Sequence, residues 1–149
     1  MTRTTDAPRD DAALSTTLRA RGQRVTSQRL ILHRALRELD RHATAEELQH
    51  AAEGRLPNLS LPTVYATLEL FQELGIVRRV SIGSGAVLWD PRPDAHEHFA
   101  CRACGRVSDL DVRVRAAAAV DAARAAGHAP DDAQVVVTGL CAECAGRDV

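Results

Sequence analysis

The sequence predicts an α+β protein in two parts: a helical N-terminal half that ends in a β-hairpin, and a small mixed second half held together by a metal ion. Three observations predict it. Thr26, Thr44 and Ser60 each stand before an apolar-periodic segment. The period then changes to strand-like alternation on either side of Gly83-Ser84-Gly85. Beyond a break marked by Pro91 and Pro93, the four cysteines fall as two CxxC pairs, Cys101/Cys104 and Cys141/Cys144, with 36 residues between the pairs.

In chain order, residues 1–12 are polar and aperiodic and are expected to be a flexible tail. A short helix is expected from Ala12 to Arg21, ending at Gly22. Thr26 caps a second helix with Leu30, Ile31, Ala35, Leu36 and Leu39 on its apolar face, and that helix stops near Asp40. Thr44 and Glu47 form a capping box for a third helix through about Ala52, closed by Gly54 and Pro57. Ser60 caps a fourth, with Pro62 tolerated in its first turn, Val64, Leu68 and Phe71 facing inward, and Gly75 at its end. Strands are expected at 76–81 and 86–89. Helices followed by a two-stranded ribbon fit a winged helix-turn-helix whose fourth helix reads DNA. They fit equally a small helical domain that packs a hairpin and binds nothing. Domain limits follow as 13–90 for this part, 91–95 for a hinge and 96–149 for the second part. There, strands are expected at 96–101, 106–112 and 134–140 and an alanine-rich helix at 114–126, ended by Gly127. So small a domain needs a staple.

Composition narrows the function. The 149 residues carry 19 basic and 20 acidic side chains, a formal charge of −1, so no global attraction to nucleic acid or to a membrane surface is indicated, although a local basic face remains open. All 19 cations are arginine, a choice expected from codon bias before function, although arginine is also the better fork for phosphate and guanine. Four aromatics (Tyr65, Phe71, Trp89, Phe99) are too few for a platform that stacks single-stranded bases. No apolar run is long enough to span a membrane and no leader pattern opens the chain, so the protein is expected in the cytoplasm, without a membrane partner. No enzyme is indicated: the chain has no evident nucleophile, open three-ligand zinc motif or phosphate loop.

Thiols in a reducing compartment point to metal sooner than to disulfides, and two CxxC turns offer four thiolates to one tetrahedral, structural Zn2+. A thioredoxin-type dithiol would need a βαβ setting that neither pair has. A second group is His96-Glu97-His98, where strand geometry points both imidazoles to one face and Glu97 away from it. Asp90 precedes this group and Asp109 lies on the next strand. Two imidazoles with two carboxylates suit Fe2+ or Mn2+, whereas a thiolate in the set would favour zinc.

Several stretches in order carry a resemblance: Gly22-Gln23-Arg24-Val25-Thr26-Ser27-Gln28-Arg29, His42-Ala43-Thr44-Ala45-Glu46-Glu47-Leu48, Leu59-Ser60-Leu61-Pro62-Thr63-Val64-Tyr65-Ala66-Thr67-Leu68, His96 through Gly105, and Cys141-Ala142-Glu143-Cys144. Over Leu14 to Ala145 the chain resembles the Fur family of metal-dependent repressors, and most closely their peroxide-sensing PerR type. The resemblance implies an N-terminal winged helix, a C-terminal α/β dimerisation domain stapled by zinc, and a homodimer on an AT-rich inverted-repeat operator in double-stranded DNA. It adds His42 to the regulatory ligands, giving His42, Asp90, His96, His98 and Asp109, with His42 and His96 oxidised when peroxide meets bound iron. Asp90 stands where zinc-uptake members tend to carry cysteine. Asp109 stands where iron-responsive members, the alternative reading without peroxide sensing, usually carry glutamate. For DNA, the expected contacts are Tyr65, Thr63, Arg24, Arg29 and the wing residues Arg78 and Arg79. Ala66 replaces an arginine of many relatives. Asp132 and Ala133 stand where some have a histidine for an additional metal site, and nearby His128 is expected to be exposed.

Overall fold

The computed structural model describes residues 7–82, 85–131 and 133–147. The chain divides into two compact units, Met1–Asp94 and Ala95–Val149. Residues 1–6 of the expected tail, the Gly83-Ser84 part of the expected hairpin turn, and Asp132 lie outside the described residues.

The first unit holds four helices and a ribbon: α1 (Asp11–Ala20), α2 (Ser27–Leu39), α3 (Ala45–Ala52), α4 (Leu61–Glu73), β1 (Arg78–Val80) and β2 (Leu88–Asp90). Each helix starts where a side-chain oxygen replaces the missing intrahelical acceptor. Thr26 takes the N–H of Arg29, Ser60 that of Thr63, and the Thr44–Glu47 capping box is present in both directions. Helix α1 begins earlier than expected because Asp10 accepts from the N–H of Ala13 at 2.7 Å.

The inward face of α4 is as expected, with Val64, Leu68 and Phe71 fully buried. That of α2 is wider: Leu32 and His33 are buried with Ala35 and Leu36, while Leu30, Ile31 and Leu39 are only partly covered. The reason is that α1, α3 and α4 all pack on α2, so burial is not confined to one stripe. Leu14, Leu18, Leu48 and Trp89 complete one apolar core. The ribbon is antiparallel, pairing Arg79 with Trp89 and Arg78 with Asp90. It is shorter than expected at its start and runs one residue further at its end, which makes Asp90 a strand residue.

The second unit is a three-stranded sheet in the order β4-β3-β5, built from β3 (Glu97–Cys101), β4 (Val107–Leu110) and β5 (Val136–Gly139). Strand β3 is central, antiparallel to β4 and parallel to β5. Helix α5 (Ala117–Ala125) is shorter than the expected 114–126, and in the stretch before it the N–H of Val114 is held by the carboxylate of Glu97. The short α6 (Ala142–Ala145), which the sequence did not suggest, starts inside the second CxxC and ends one residue past it.

His33 gives the first unit an acid sensitivity. It is buried edge-on against the ring of Phe71, centroids 6.0 Å apart, and burial, with Arg37 adding to it, holds its pKa below the ordinary 6.5. Below 6.5 the unfolded chain protonates this imidazole while the folded chain resists, so stability falls as pH drops toward the folded value. His33→Leu is expected to flatten that loss, which is worth about 1.4 kcal/mol per pH unit between the two pKa values. Urea unfolding of both proteins between neutral pH and about pH 5 measures it.

Candidate metal centres

Register brings the cysteines together. In the parallel β3–β5 ladder Cys101 pairs with Gly139, so the turn after β5 delivers Cys141 beside the turn after β3. The first turn is closed by Gly105, whose φ of +72° favours glycine, with its N–H on the carbonyl of Cys101 at 2.9 Å. All four Sγ atoms lie within 4.8 Å of one another. A tetrahedron of about 2.3 Å Zn–S bonds has sulfur edges of about 3.8 Å, and Cys104 Sγ to Cys141 Sγ is 3.9 Å.

Two of the thiols are shifted in opposite directions. Backbone N–H groups of Cys104 and then Cys141 bring Cys101 down to about 6, while contacts with the sulfurs of Cys141 and Cys104 push Cys144 up to about 12. A divalent ion held here would take all four as thiolates. Arg106 and Glu143, which sequence reasoning passed over, span the two turns in a forked ion pair of 2.7 and 3.0 Å. Glu143 holds the pKa of Arg106 above its usual range, and Arg106 holds that of Glu143 below its own. The CGR and CAEC sequences were the available signal.

In the first unit a backbone bridge places His42. Ala43 and Trp89 exchange both hydrogen bonds, 3.1 and 2.8 Å, so the loop after α2 becomes a partner of β2 and the preceding residue falls beside Asp90. His42 Nε2 lies 3.3 Å from Asp90 Oδ2, both side chains nearly fully buried. Asp90 Oδ1 accepts from the N–H of Arg92 at 2.8 Å, which fixes the carboxylate plane.

In the second unit the sheet gathers three residues. His96 immediately precedes β3 and His98 lies within it, and Asp109 is paired directly with His98 across the β3–β4 ladder. His96 Nε2 stands 3.1 Å from Asp109 Oδ1, and the two imidazole centroids are 4.6 Å apart. His98 is completely buried and Asp109 partly exposed. Metal–donor bonds of about 2.1 Å at right angles put donors about 3.0 Å apart, close to the spacing of both His–Asp pairs. The donors are nitrogen and oxygen only, a set suited to harder divalent ions.

Among the expected DNA contacts, Arg29 and Thr63 line one open cleft of about 400 Å3 with Thr26, Gln28, Pro62, Ala66 and Thr67, at the N-terminal ends of α2 and α4. Arg24 and Arg79 are exposed; Arg29 is half-buried and donates to the carbonyl of Arg24. Arg78 is half-buried, opposite Asp90 in the ribbon. Tyr65 packs partly against the core, its hydroxyl 3.4 Å from Glu46 Oε1. His128 is exposed.

Ligand-bearing residues in a winged-helix unit and in a separate small sheet describe a metal-responsive transcription regulator. The model of the Ferric uptake regulator family matches residues 20–137, and the chain belongs to that family. The peroxide operon regulator of Bacillus subtilis (strain 168) is 31% identical over 137 residues, covering 89% of this chain and 91% of that one. The peroxide-responsive repressor PerR of Staphylococcus epidermidis is 34% identical over 93 residues, 62% of each chain. Among solved structures, a zinc uptake regulator complexed with zinc and DNA matches with TM-score 0.72 at 26% identity, covering 93% of this chain and 94% of that one. The Helicobacter pylori ferric uptake regulator shares the fold with TM-score 0.70 at 16% identity, covering 90% of each. The family's members are transcription regulators and not enzymes. No helix among the described residues is long and apolar enough to cross a membrane.

Cys101→Ser and Cys144→Ser are each expected to remove about one equivalent of tightly bound metal per chain and to lower the Tm, since binding energy at such a site is folding energy. Elemental analysis and calorimetry of the purified variants check this. Stoichiometric metal and an unchanged Tm in both would exclude a shared thiolate site.

Proposed function

We propose that this chain is a cytoplasmic repressor that binds an AT-rich inverted-repeat operator as a homodimer, with Zn2+ held by Cys101, Cys104, Cys141 and Cys144. In this reading a regulatory Fe2+ or Mn2+ is held by His42, Asp90, His96, His98 and Asp109, and peroxide relieves repression. The observation that carries it is the chemistry of the regulatory donors: imidazole and carboxylate without a thiolate, with aspartate at both 90 and 109. The PerR-named relatives support the same branch.

The resemblance assigns one ion to all five donors, and only five residues of chain separate Asp90 from His96. An ion that draws ligands from both units favours the conformations in which both groups converge, and operator affinity follows that population. When bound, ferrous iron would supply the redox chemistry by which one hydrogen peroxide oxidises one imidazole by two electrons, the ring of His42 or His96 gaining one oxygen and the other peroxide oxygen leaving as water. A ring so oxidised would be a poorer lone-pair donor and would release the constraint. The closed tetrad of thiolates is structural in this scheme.

The homodimer is supported by what the second unit leaves uncovered. Helix α5 buries none of its residues, β5 is an edge strand, and Val112, Val114 and Val137 are each about half exposed. A second copy covers this surface. On DNA, the cleft at the N-terminal ends of α2 and α4 with Arg29 suits a backbone phosphate, and exposed Arg24 and Arg79 add positioning contacts. The half-buried Tyr65 offers its ring edge to thymine methyls.

Three proteins loaded with Fe2+ or Mn2+ and titrated anaerobically with peroxide test the scheme by operator binding and mass spectrometry. Wild type is expected to release DNA only in the iron form, with one added oxygen on His42 or His96. Asp109→Glu keeps charge and donor type and is expected to bind operator in both forms with reduced peroxide sensitivity. His42→Ala, without its ligand in the winged unit, is expected to lose metal-dependent binding while keeping zinc. Wild type that holds DNA through peroxide treatment is instead an iron-responsive repressor, and release that tracks cysteine oxidation moves the sensor to the thiols.

Tyr65→Ala is expected to reduce preference for operator over random DNA by about 1–3 kcal/mol. Arg79→Ala is expected to weaken both equally and to flatten the salt dependence. Competition shifts at two salt concentrations separate the two effects.

A further inference from the structure

Glu97 is the first residue of β3, between His96, which immediately precedes the strand, and His98, and is turned to the face of the sheet opposite His98. It is buried, and its two carboxylate oxygens are used separately: Oε1 accepts from the backbone N–H of Val114 at 3.2 Å, and Oε2 from that of Val135 at 2.9 Å. Val114 belongs to the stretch that leads into α5, and Val135 immediately precedes β5. The peptide of Val135 is tied on its other side as well, because its carbonyl accepts from the N–H of His98 at 3.3 Å. One buried anion thus holds two segments distant in sequence, and one of them is bonded directly to a ligand residue. Charge-assisted bonds to buried N–H groups are among the stronger ones a fold makes, and a carboxylate is placed to serve two donors at once.

The segments held this way carry the apolar surface that the second unit leaves open, with Val114 on one and Val137 two residues beyond Val135 on the other. We propose that Glu97 is a positioning residue that couples the His96–His98 strand to the α5–β5 face, so that metal binding at the two histidines and ordering of that face rise and fall together. This rests on the reading of His96 and His98 as ligands of the regulatory ion. The coupling is reciprocal: whatever orders the face, a second copy of the chain included, tightens metal binding by the same factor.

The test uses the full-length, zinc-loaded protein and Mn2+ alone as the probe, with Glu97→Gln as the variant. Glutamine keeps the length of the side chain but replaces one acceptor oxygen with an NH2 that faces a backbone N–H. Wild type is expected to show slow amide exchange at Val114, Val135 and the α5 amides, slower again with Mn2+. Glu97→Gln is expected to bind Mn2+ about tenfold more weakly or worse, the scale seen when groups behind a metal ligand are altered. Its exchange at those amides should be fast and indifferent to Mn2+, while zinc content and exchange in α2 and α4 stay at wild-type values. Glu97→Gln with wild-type Mn2+ affinity, or with a faster face that still responds fully to Mn2+, makes the carboxylate a simple brace and overturns the coupling. A His98→Ala protein that binds Mn2+ as tightly as wild type overturns the ligand reading itself, a result distinguishable because it does not involve Glu97.

Discussion

The second unit must hold a sheet together with almost no apolar interior. Among its described residues the buried side chains are His96, Glu97, His98, Ala100 and Cys101, three of them polar. Hydrophobic burial at about 25 cal/mol per Å2 has little to act on there. Cohesion falls to directed interactions: four thiols poised for one cation, a carboxylate shared by two peptide N–H groups, a forked Arg106–Glu143 pair, and histidines facing Asp109. Each of these depends on ionic state or on strand register, which apolar packing does not.

The first unit is built the other way. Leu14, Leu18, Leu32, Leu36, Leu48, Leu68 and Phe71 are fully buried in one cluster, and truncating any of them to alanine falls in the range of about 2–5 kcal/mol. Such a core holds α4 and the ribbon in place. His42 and Asp90, its proposed metal ligands, lie at the margin of that core, where a two-bond bridge between Ala43 and Trp89 sets the loop of His42 against the strand of Asp90. Because the bridge uses backbone atoms, it leaves the side chains on either side free to specialise.

What the sequence made legible was local. Caps at Thr26, Thr44 and Ser60, the stop at Gly75 and the inward face of α4 follow from side-chain chemistry within one or two turns, and all appear as read. The CxxC pairs and the His-x-His strand were legible because ligand spacing is itself local. What escaped depends on partners distant in the chain. The burial of Leu32 and His33 requires three helices around α2, the Glu97–Val114 bond requires β3 to lie beside the stretch before α5, and the Arg106–Glu143 pair requires the two CxxC turns to be neighbours already. His42 shows the same division: nothing in its periodicity marks it, and only resemblance singled it out before the bridge to β2 explained its position.

The parallel pairing that sets Cys101 level with Gly139 carries a consequence for biosynthesis. The first pair of thiols leaves the ribosome well ahead of the second, with β4, α5 and β5 made in between. Two thiolates alone do not form a closed tetrahedral site. If the four cysteines take one ion, that centre closes only after β5 has paired in register, and a chain that stops before Cys141 has no closed site to fill.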